Sequence, residues 1–133
     1  MKNETIRKQL AILGCDTAYD TAVFGRYFDG TDHEYTCEVI RFSYDFTLNG
    51  YGQYNEVMGF LDRFGRRARN YRVHLTSSTY SGRIAGYVIG SEDDEKACTA
   101  MTIANKFQNA FWQARHEGKT AGQCIIAGRE AIA

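Results

Sequence analysis

The segment from Arg63 to Arg83 contains the residues of this chain best suited to binding phosphate groups. It has no lysine, aspartate or glutamate, and its six arginines are Arg63, Arg66, Arg67, Arg69, Arg72 and Arg83. A guanidinium group binds two phosphate oxygens at once and stacks on bases, which an ammonium group does not do. Interleaved hydroxyl and aromatic side chains could add hydrogen bonds to phosphates and stacking on unpaired bases. The segment therefore predicts an anionic partner: nucleic acid, a nucleoprotein or an acidic protein surface.

The tripeptide His74-Leu75-Thr76 matches one His-x-Thr unit of phosphoesterases that place two such units around one phosphate. The sequence has no matching second copy, because His33 is followed by Glu34, Tyr35 and Thr36, which puts the hydroxyl one position too far. In a strand this offset sends the two side chains to opposite faces. His74 and Thr76 are therefore weak catalytic candidates, and an ordinary exposed strand histidine is the favoured interpretation.

Other reaction chemistries lack support in the sequence. The glycines at 82, 86 and 90 do not have the spacing of a phosphate-binding loop, and no serine lies in a G-x-S-x-G elbow. The three histidines and four cysteines are far apart and include no C-x-x-C pair, so we predict reduced thiols and neither a metal site nor a cofactor. A binding protein is favoured over an enzyme.

Charge is unevenly distributed along a chain whose formal net charge is zero. Residues 1–62 carry ten acids and five bases, residues 63–91 carry six bases and no acid, and residues 92–133 carry six acids and five bases. A structural explanation competes with the functional one. Cations near the end of one helix and the acids Glu92 to Glu95 at the start of the next would both suit the helix dipole, and the two groups could pair with each other.

The elements that position these residues can be predicted from hydrophobic periodicity. Asn3 is a candidate N-cap for a helix with Ile6, Leu10 and Leu13 on one face. Residues 35–48 alternate as a strand, and residues 54–68 show helical spacing. Residues 71–79 and 82–90 resemble two strands joined by a turn. Residues 17–28 fit a strand or a helix equally well.

A long helix from about residue 92 to residue 117 is predicted from a stripe of small and aromatic residues. The stripe consists of Ala97, Ala100, Ala104, Phe107, Phe111 and Ala114. Ser91 and Asp94 suggest a capping box at its start, and Gly118 is expected to end it. A shorter helix should follow. Trp112 lies about 100° from Phe111 around this helix, so we predict that it is exposed and could anchor a partner.

This order of elements predicts a single α+β domain over residues 1–133, with an antiparallel sheet of three to four strands and helices mainly on one face. No apolar run is long enough to cross a membrane and no signal peptide is evident, so a soluble, cytoplasmic protein is expected.

The functional prediction is a small non-enzymatic binding or inhibitor protein, of the kind by which phages and mobile elements block host machinery. Its predicted partner-binding residues are Arg63, Arg66, Arg67, Arg69, Tyr71, Arg72, His74, Arg83 and Trp112. One alternative is a protein that binds a small phosphorylated or nucleotide-like ligand, held between the subunits of a homodimer. A second alternative is a metal-independent phosphodiesterase centred on His74.

Overall fold

The computed structural model describes residues 3–27, 33–45, 51–77 and 82–133, with the side chains of the second helix described from residue 54 onward. The elements in chain order are α1 (Glu4–Ile12), β1 (Asp16–Phe24), β2 (Tyr35–Asp45), α2 (Tyr51–Arg67), β3 (Tyr71–Leu75), β4 (Arg83–Gly90), α3 (Ser91–His116) and α4 (Ala121–Ile132). This order confirms the predicted α+β class, and residues 16–24 are a strand.

The four strands form one antiparallel sheet in the order β1-β2-β4-β3. In its register Arg41 lies opposite Tyr87, and His74 lies opposite the same Tyr87 from the other side. Contacts divide the chain into two compact units, Met1–Ala22 with Cys37–Asp94, and Val23–Thr36 with Glu95–Ala133. A single domain over the whole chain stays a prediction.

The first unit has its hydrophobic core between one face of the sheet and the helices α1 and α2. This core is formed by Ile6, Leu10, Cys15, Ile40, Phe42, Tyr44, Val57, Leu61, Ile84 and Val88, all of them buried. The Asn3 side chain accepts a hydrogen bond from the Ile6 backbone N–H, which caps α1 as predicted. Alternation along β2 places Arg41 and Ser43 on the second face of the sheet.

The second unit is built on α3 and α4. All six residues of the stripe predicted for α3 are buried. Phe107 is fully buried, with its ring 4.6 Å from that of Tyr27 and 6.3 Å from that of Phe111. Gly118 has a φ of 83°, in the left-handed region that favours glycine, and it ends α3 as predicted. Thr120 caps α4 in a capping box with Gln123.

Three sequence-based predictions about the elements need correction. The capping box of α3 is wrong, because the Ser91 backbone N–H donates to the Asn70 carbonyl at 2.9 Å and the Asp94 carboxylate binds His74 instead. The helix α2 begins at Tyr51, and β3 ends at Leu75. The last three residues of the strand predicted over 35–48, and residues 80–81 of the turn predicted at Tyr80–Gly82, lie outside the described residues.

Candidate nucleic-acid interface

Four of the six predicted arginines lie at the C-terminal end of α2 and in the loop that follows it. Arg63, Arg66 and Arg67 are in the last turns of the helix, Arg69 is in the loop, and all four side chains are exposed. We call these four residues the arginine surface. The local sequence places them outward because Val57, Leu61 and Phe64 occupy the inward face of α2.

The arginine surface is only partly neutralised by the protein's own carboxylates. Arg66 Nη2 lies 2.7 Å from Asp62 Oδ2 one helical turn earlier, with 71% of the Arg66 side chain exposed. Among the described residues no carboxylate pairs with Arg63, Arg67 or Arg69. The predicted alternative of pairing with residues 92–95 is therefore not observed for these three guanidinium groups.

Local electrostatics do not explain why Arg63 and Arg67 both carry a positive charge. They are four residues apart on one helix face, and like charges at this spacing cost about 0.2–0.5 kcal/mol. The helix dipole stabilises a cation in the last turn by about 0.3–1 kcal/mol. Arg67 lies in that turn and gains this term, whereas Arg63 lies one turn earlier and gains less of it. The arrangement concentrates positive charge with little net benefit to the fold.

Tyr71 is half-buried and belongs to the packing of the first unit. Its hydroxyl accepts a hydrogen bond from the Asn3 side chain at 3.1 Å, and its ring centroid lies 6.2 Å from that of Phe64. A concavity of about 470 Å³ lies beside it, lined in part by Gln9, Arg69 and Asn70. Tyr71 therefore helps to shape the edge of the arginine surface, and its part in partner binding stays a prediction.

Arg72, His74 and Thr76 lie on the opposite face of the sheet from α2, which carries most of the arginine surface. The helix α2 packs on the core face of the sheet, whereas alternation along β3 sends these three side chains to the second face. Arg72 Nη1 donates to the carbonyls of Tyr71 and Arg69, at 2.9 and 3.3 Å. The strand β3 thus separates two polar surfaces.

The second face of the sheet carries a connected row of polar and aromatic side chains, which we call the open-face row: Asp20, Arg41, Tyr87, His74 and Asp94. His74 Nε2 lies 2.7 Å from Asp94 Oδ1, and its ring stacks on that of Tyr87 with centroids 5.1 Å apart. Arg41 forms an ion pair with Asp20. This hydrogen bond lowers the pKa of the Asp20 carboxyl, helped by the Thr21 backbone N–H.

The open-face row borders a shallow concavity of about 310 Å³. Thr76, Ser43 and Arg41 contribute polar groups to its lining, while Ala85 and Gly86 supply its floor. Arg83 lies opposite Asp45 in the register of β2 and β4, which is a favourable cross-strand arrangement. The sequence had identified His74, Thr76 and Arg83, but it gave no signal that Asp94, Arg41 and Asp20 would join them.

The remaining predicted features are Trp112 and the four cysteines. Trp112 belongs to the second unit, where its side chain is 49% exposed and its ring meets that of Phe111 edge-on at 5.2 Å. All four cysteines are free thiols, and burial beside Asp16 raises the pKa of Cys15 to about 11. Within residues 3–27, 33–45, 51–77 and 82–133, no three histidine, cysteine or acidic side chains are arranged to hold a metal ion.

Comparison with protein-family models, with curated proteins and with solved structures found no match to this chain. No helix in the described part of the chain combines the length and the apolar character needed to cross a membrane.

Proposed function

We propose that this protein binds nucleic acid, alone or within a nucleoprotein, through the arginine surface. The observation that carries the proposal is that Arg63, Arg67 and Arg69 are exposed and have no carboxylate partner among the described residues. Guanidinium groups held outward in this way release the counterions of a phosphate backbone when they bind it. An inhibitor that blocks a host nucleoprotein, as phages and mobile elements encode, would use such a surface.

The geometry favours contacts to the phosphate backbone over reading of base edges. Arg63 and Arg67 are one helical turn apart, about 6 Å along the axis, which is close to the spacing of successive phosphates on a single strand. The helix presents its C-terminal end here, so its dipole does not attract phosphate and the side chains must supply the affinity. We therefore expect binding with little sequence preference.

A salt titration tests this proposal. A fluorescent single-stranded oligonucleotide and the matching duplex should both bind the wild-type protein. Their affinities should fall steeply with salt, by about 0.7–0.9 in the logarithmic slope for each phosphate contacted. A shallow slope with nucleic acid, together with thermal stabilisation by mononucleotides, would instead support the small-ligand alternative. Absence of binding to either oligonucleotide at low salt would contradict the proposal.

A second candidate function is supported by the hydrogen bond between His74 and Asp94. An ionised carboxylate only accepts, so this bond keeps a proton on Nε2 and leaves Nδ1 of the neutral ring as a base. In hydrolysis of a phosphodiester, Nδ1 would take a proton from the attacking water as the water oxygen bonds to phosphorus and the bond from phosphorus to the leaving oxygen breaks. The leaving oxygen would then take a proton from solvent. The Thr76 hydroxyl, on the same strand face, could donate to a phosphate oxygen.

This second function predicts that His74→Ala lowers turnover of a phosphodiester substrate by about a hundredfold or more. The test compares the wild type with His74→Ala and Asp94→Asn on a panel of cyclic and linear nucleotides, with purified protein free of nuclease. Asp94→Asn should retain the fold and lose part of the rate, because it weakens the orientation of the imidazole ring. Equal turnover by all three proteins would eliminate the phosphodiesterase function.

A further inference from the structure

Among the strands that the structure describes, β3 lies at one edge of the sheet and pairs with β4 alone. Two backbone hydrogen bonds fix which of its residues face that partner: the Thr76 N–H donates to the Ala85 carbonyl at 2.8 Å, and the Ser91 N–H donates to the Asn70 carbonyl at 2.9 Å. Successive residues of a strand direct their backbone groups to opposite sides. The even-numbered residues of β3 therefore bond to β4.

The odd-numbered residues Tyr71, Val73 and Leu75 consequently direct their N–H and C=O groups away from the sheet. Apart from the Tyr71 carbonyl, which accepts from Arg72 Nη1, these groups have no partner among the described residues. The Leu75 side chain on this edge is 51% exposed. An edge of this kind is a template for an additional strand.

We propose that this edge pairs with β3 of a second copy of the chain, which joins two sheets into one in a two-fold symmetric dimer. An antiparallel pairing centred on Val73 places Val73 opposite its own counterpart. It also places Tyr71 opposite Leu75 of the partner subunit, and Leu75 opposite Tyr71 of the partner subunit. Each of these pairs exchanges two backbone hydrogen bonds, so all three outward residues of both copies are satisfied.

The charges on β3 select this register over its neighbours. Centred on Val73, the pairing sets Arg72 beside the partner subunit's His74, which is hydrogen-bonded to Asp94 at 2.7 Å. A pairing centred on Arg72 would oppose two arginines, and one centred on His74 would bring two Asp94 carboxylates together. Of these three registers, only the one centred on Val73 brings the Arg72 guanidinium near the Asp94 carboxylate of the other copy. The two-fold symmetry produces this contact twice.

The core-face side of the same edge is also self-complementary. A groove of about 280 Å³ between α2 and β3 is lined by Met58, Leu61, Val73 and Leu75, and the Asp62–Arg66 ion pair lies at its rim. In the dimer this apolar strip would pack against the same strip of the second copy. The rim of the groove carries one positive and one negative charge. An isologous interface requires such a patch.

The dimer would affect nucleic-acid binding, but the dimer proposal does not depend on that binding. A two-fold axis perpendicular to the sheet keeps the core faces of both copies on the same side of the joined sheet. Helix α2 of both copies therefore lies on that side. The two arginine surfaces would then act together on one polymer, which raises the overall affinity through effective concentration. The interface itself uses neither Arg63, Arg67 nor Arg69.

Sedimentation equilibrium of the intact chain tests the dimer, from about 1 µM to about 300 µM protein. The wild type is expected to approach twice its mass of 15.1 kDa. Arg72→Glu alone and Asp94→Lys alone should each weaken association by about tenfold or more, since each opposes like charges. An equimolar mixture of these two variants should recover the dimer, because each introduced charge then meets its opposite.

Val73→Pro provides a backbone test, since it removes an outward N–H without removing a bond to β4, and an edge strand tolerates proline. Circular dichroism verifies its fold, and if it fails to fold, Leu75→Lys is measured in its place. The triple variant Arg63→Glu, Arg67→Glu, Arg69→Glu should dimerise as the wild type does, which separates this proposal from nucleic-acid binding. A monomer throughout the concentration range, a dimer that survives the edge substitutions, or a mixture that stays monomeric would overturn the proposal. An extended peptide found on this edge by mass spectrometry would also overturn it.

Discussion

Replacement of Arg63, Arg67 and Arg69 together by glutamate is expected to weaken nucleic-acid binding by about a hundredfold or more, equivalent to ~2.8 kcal/mol. These three guanidinium groups are exposed and have no carboxylate partner in the described part of the chain, so their charge is available to phosphates. Loss of three phosphate contacts should also flatten the salt dependence, by about 0.9 in slope per contact on a duplex. Fluorescence anisotropy across a salt series measures both quantities.

The matched control for this experiment changes net charge by the same amount at other exposed sites. Lys8→Glu, Lys106→Glu and Lys119→Glu together introduce three acids at exposed positions that are not part of the arginine surface. This control should keep the salt slope of the wild type and most of its affinity. An equal loss in both triple variants would mean that overall charge matters and the surface does not. Unchanged binding by the arginine variant would show that the site is elsewhere.

The thermal stability of the arginine variant should change little, because none of the three side chains makes an ion pair that the substitution breaks. Reversal of Arg67 removes a favourable helix-dipole interaction of about 0.3–1 kcal/mol. We expect the melting temperature to fall by a few degrees at most. The effect on binding would therefore exceed the effect on folding by a wide margin.

Sequence periodicity predicted the elements of this fold where a single buried face dominates. The stripe on α3 was correct at every position because spacing of three and four residues has one interpretation in a long helix. The sequence did not decide between strand and helix for β1, because its exposed and buried residues do not alternate regularly. Its two fully buried residues, Ala22 and Phe24, both lie at its C-terminal end. Its identity depends on pairing with β2, which the sequence does not record.

The capping box of α3 shows how tertiary contacts override a local motif. Ser91 follows β4 directly, so its N–H is taken by the sheet ladder at Asn70. The Asp94 carboxylate is then free to bind His74, twenty residues earlier in the chain. The sequence suggested only the local partner Ser91, and the pairing of β3 with β4 is what brings His74 within reach of Asp94.

The composition of the candidate sites could be predicted, but their division into two surfaces could not. Clustering of arginines between 63 and 72 is a property of the sequence, as is the alternation that sends Arg72 and His74 to one strand face. Which face of the sheet α2 covers is set by where Val57 and Leu61 find their partners. Because α2 packs on the opposite face from His74, one predicted surface becomes two.

Gly86→Ala is expected to destabilise the protein by about 3 kcal/mol, at the upper end of the range for overpacking. A Cβ at this position would lie 2.1 Å from the His74 carbonyl oxygen and 3.0 Å from Cζ of Phe42. The first of these neighbours is backbone, so β3 and β4 would have to separate to make room. Urea unfolding should show a lower midpoint, and hydrogen exchange should show faster exchange of the β3–β4 ladder.

Gly122→Ala in α4 is the matched control for Gly86→Ala. Apart from its chain neighbours and the backbone of its own helix, no described atom lies within 4 Å of a Cβ built there, so alanine adds no clash. It should raise the free energy of unfolding by about 0.5–1 kcal/mol, because alanine loses less backbone entropy than glycine on entering a helix. The two identical substitutions thus have opposite expected signs, which isolates the close strand approach at Gly86 from any general effect of the added methyl group. If Gly86→Ala were as stable as the wild type, the tight contact between the two strands would be wrong, and so would the placement of His74 beside Tyr87.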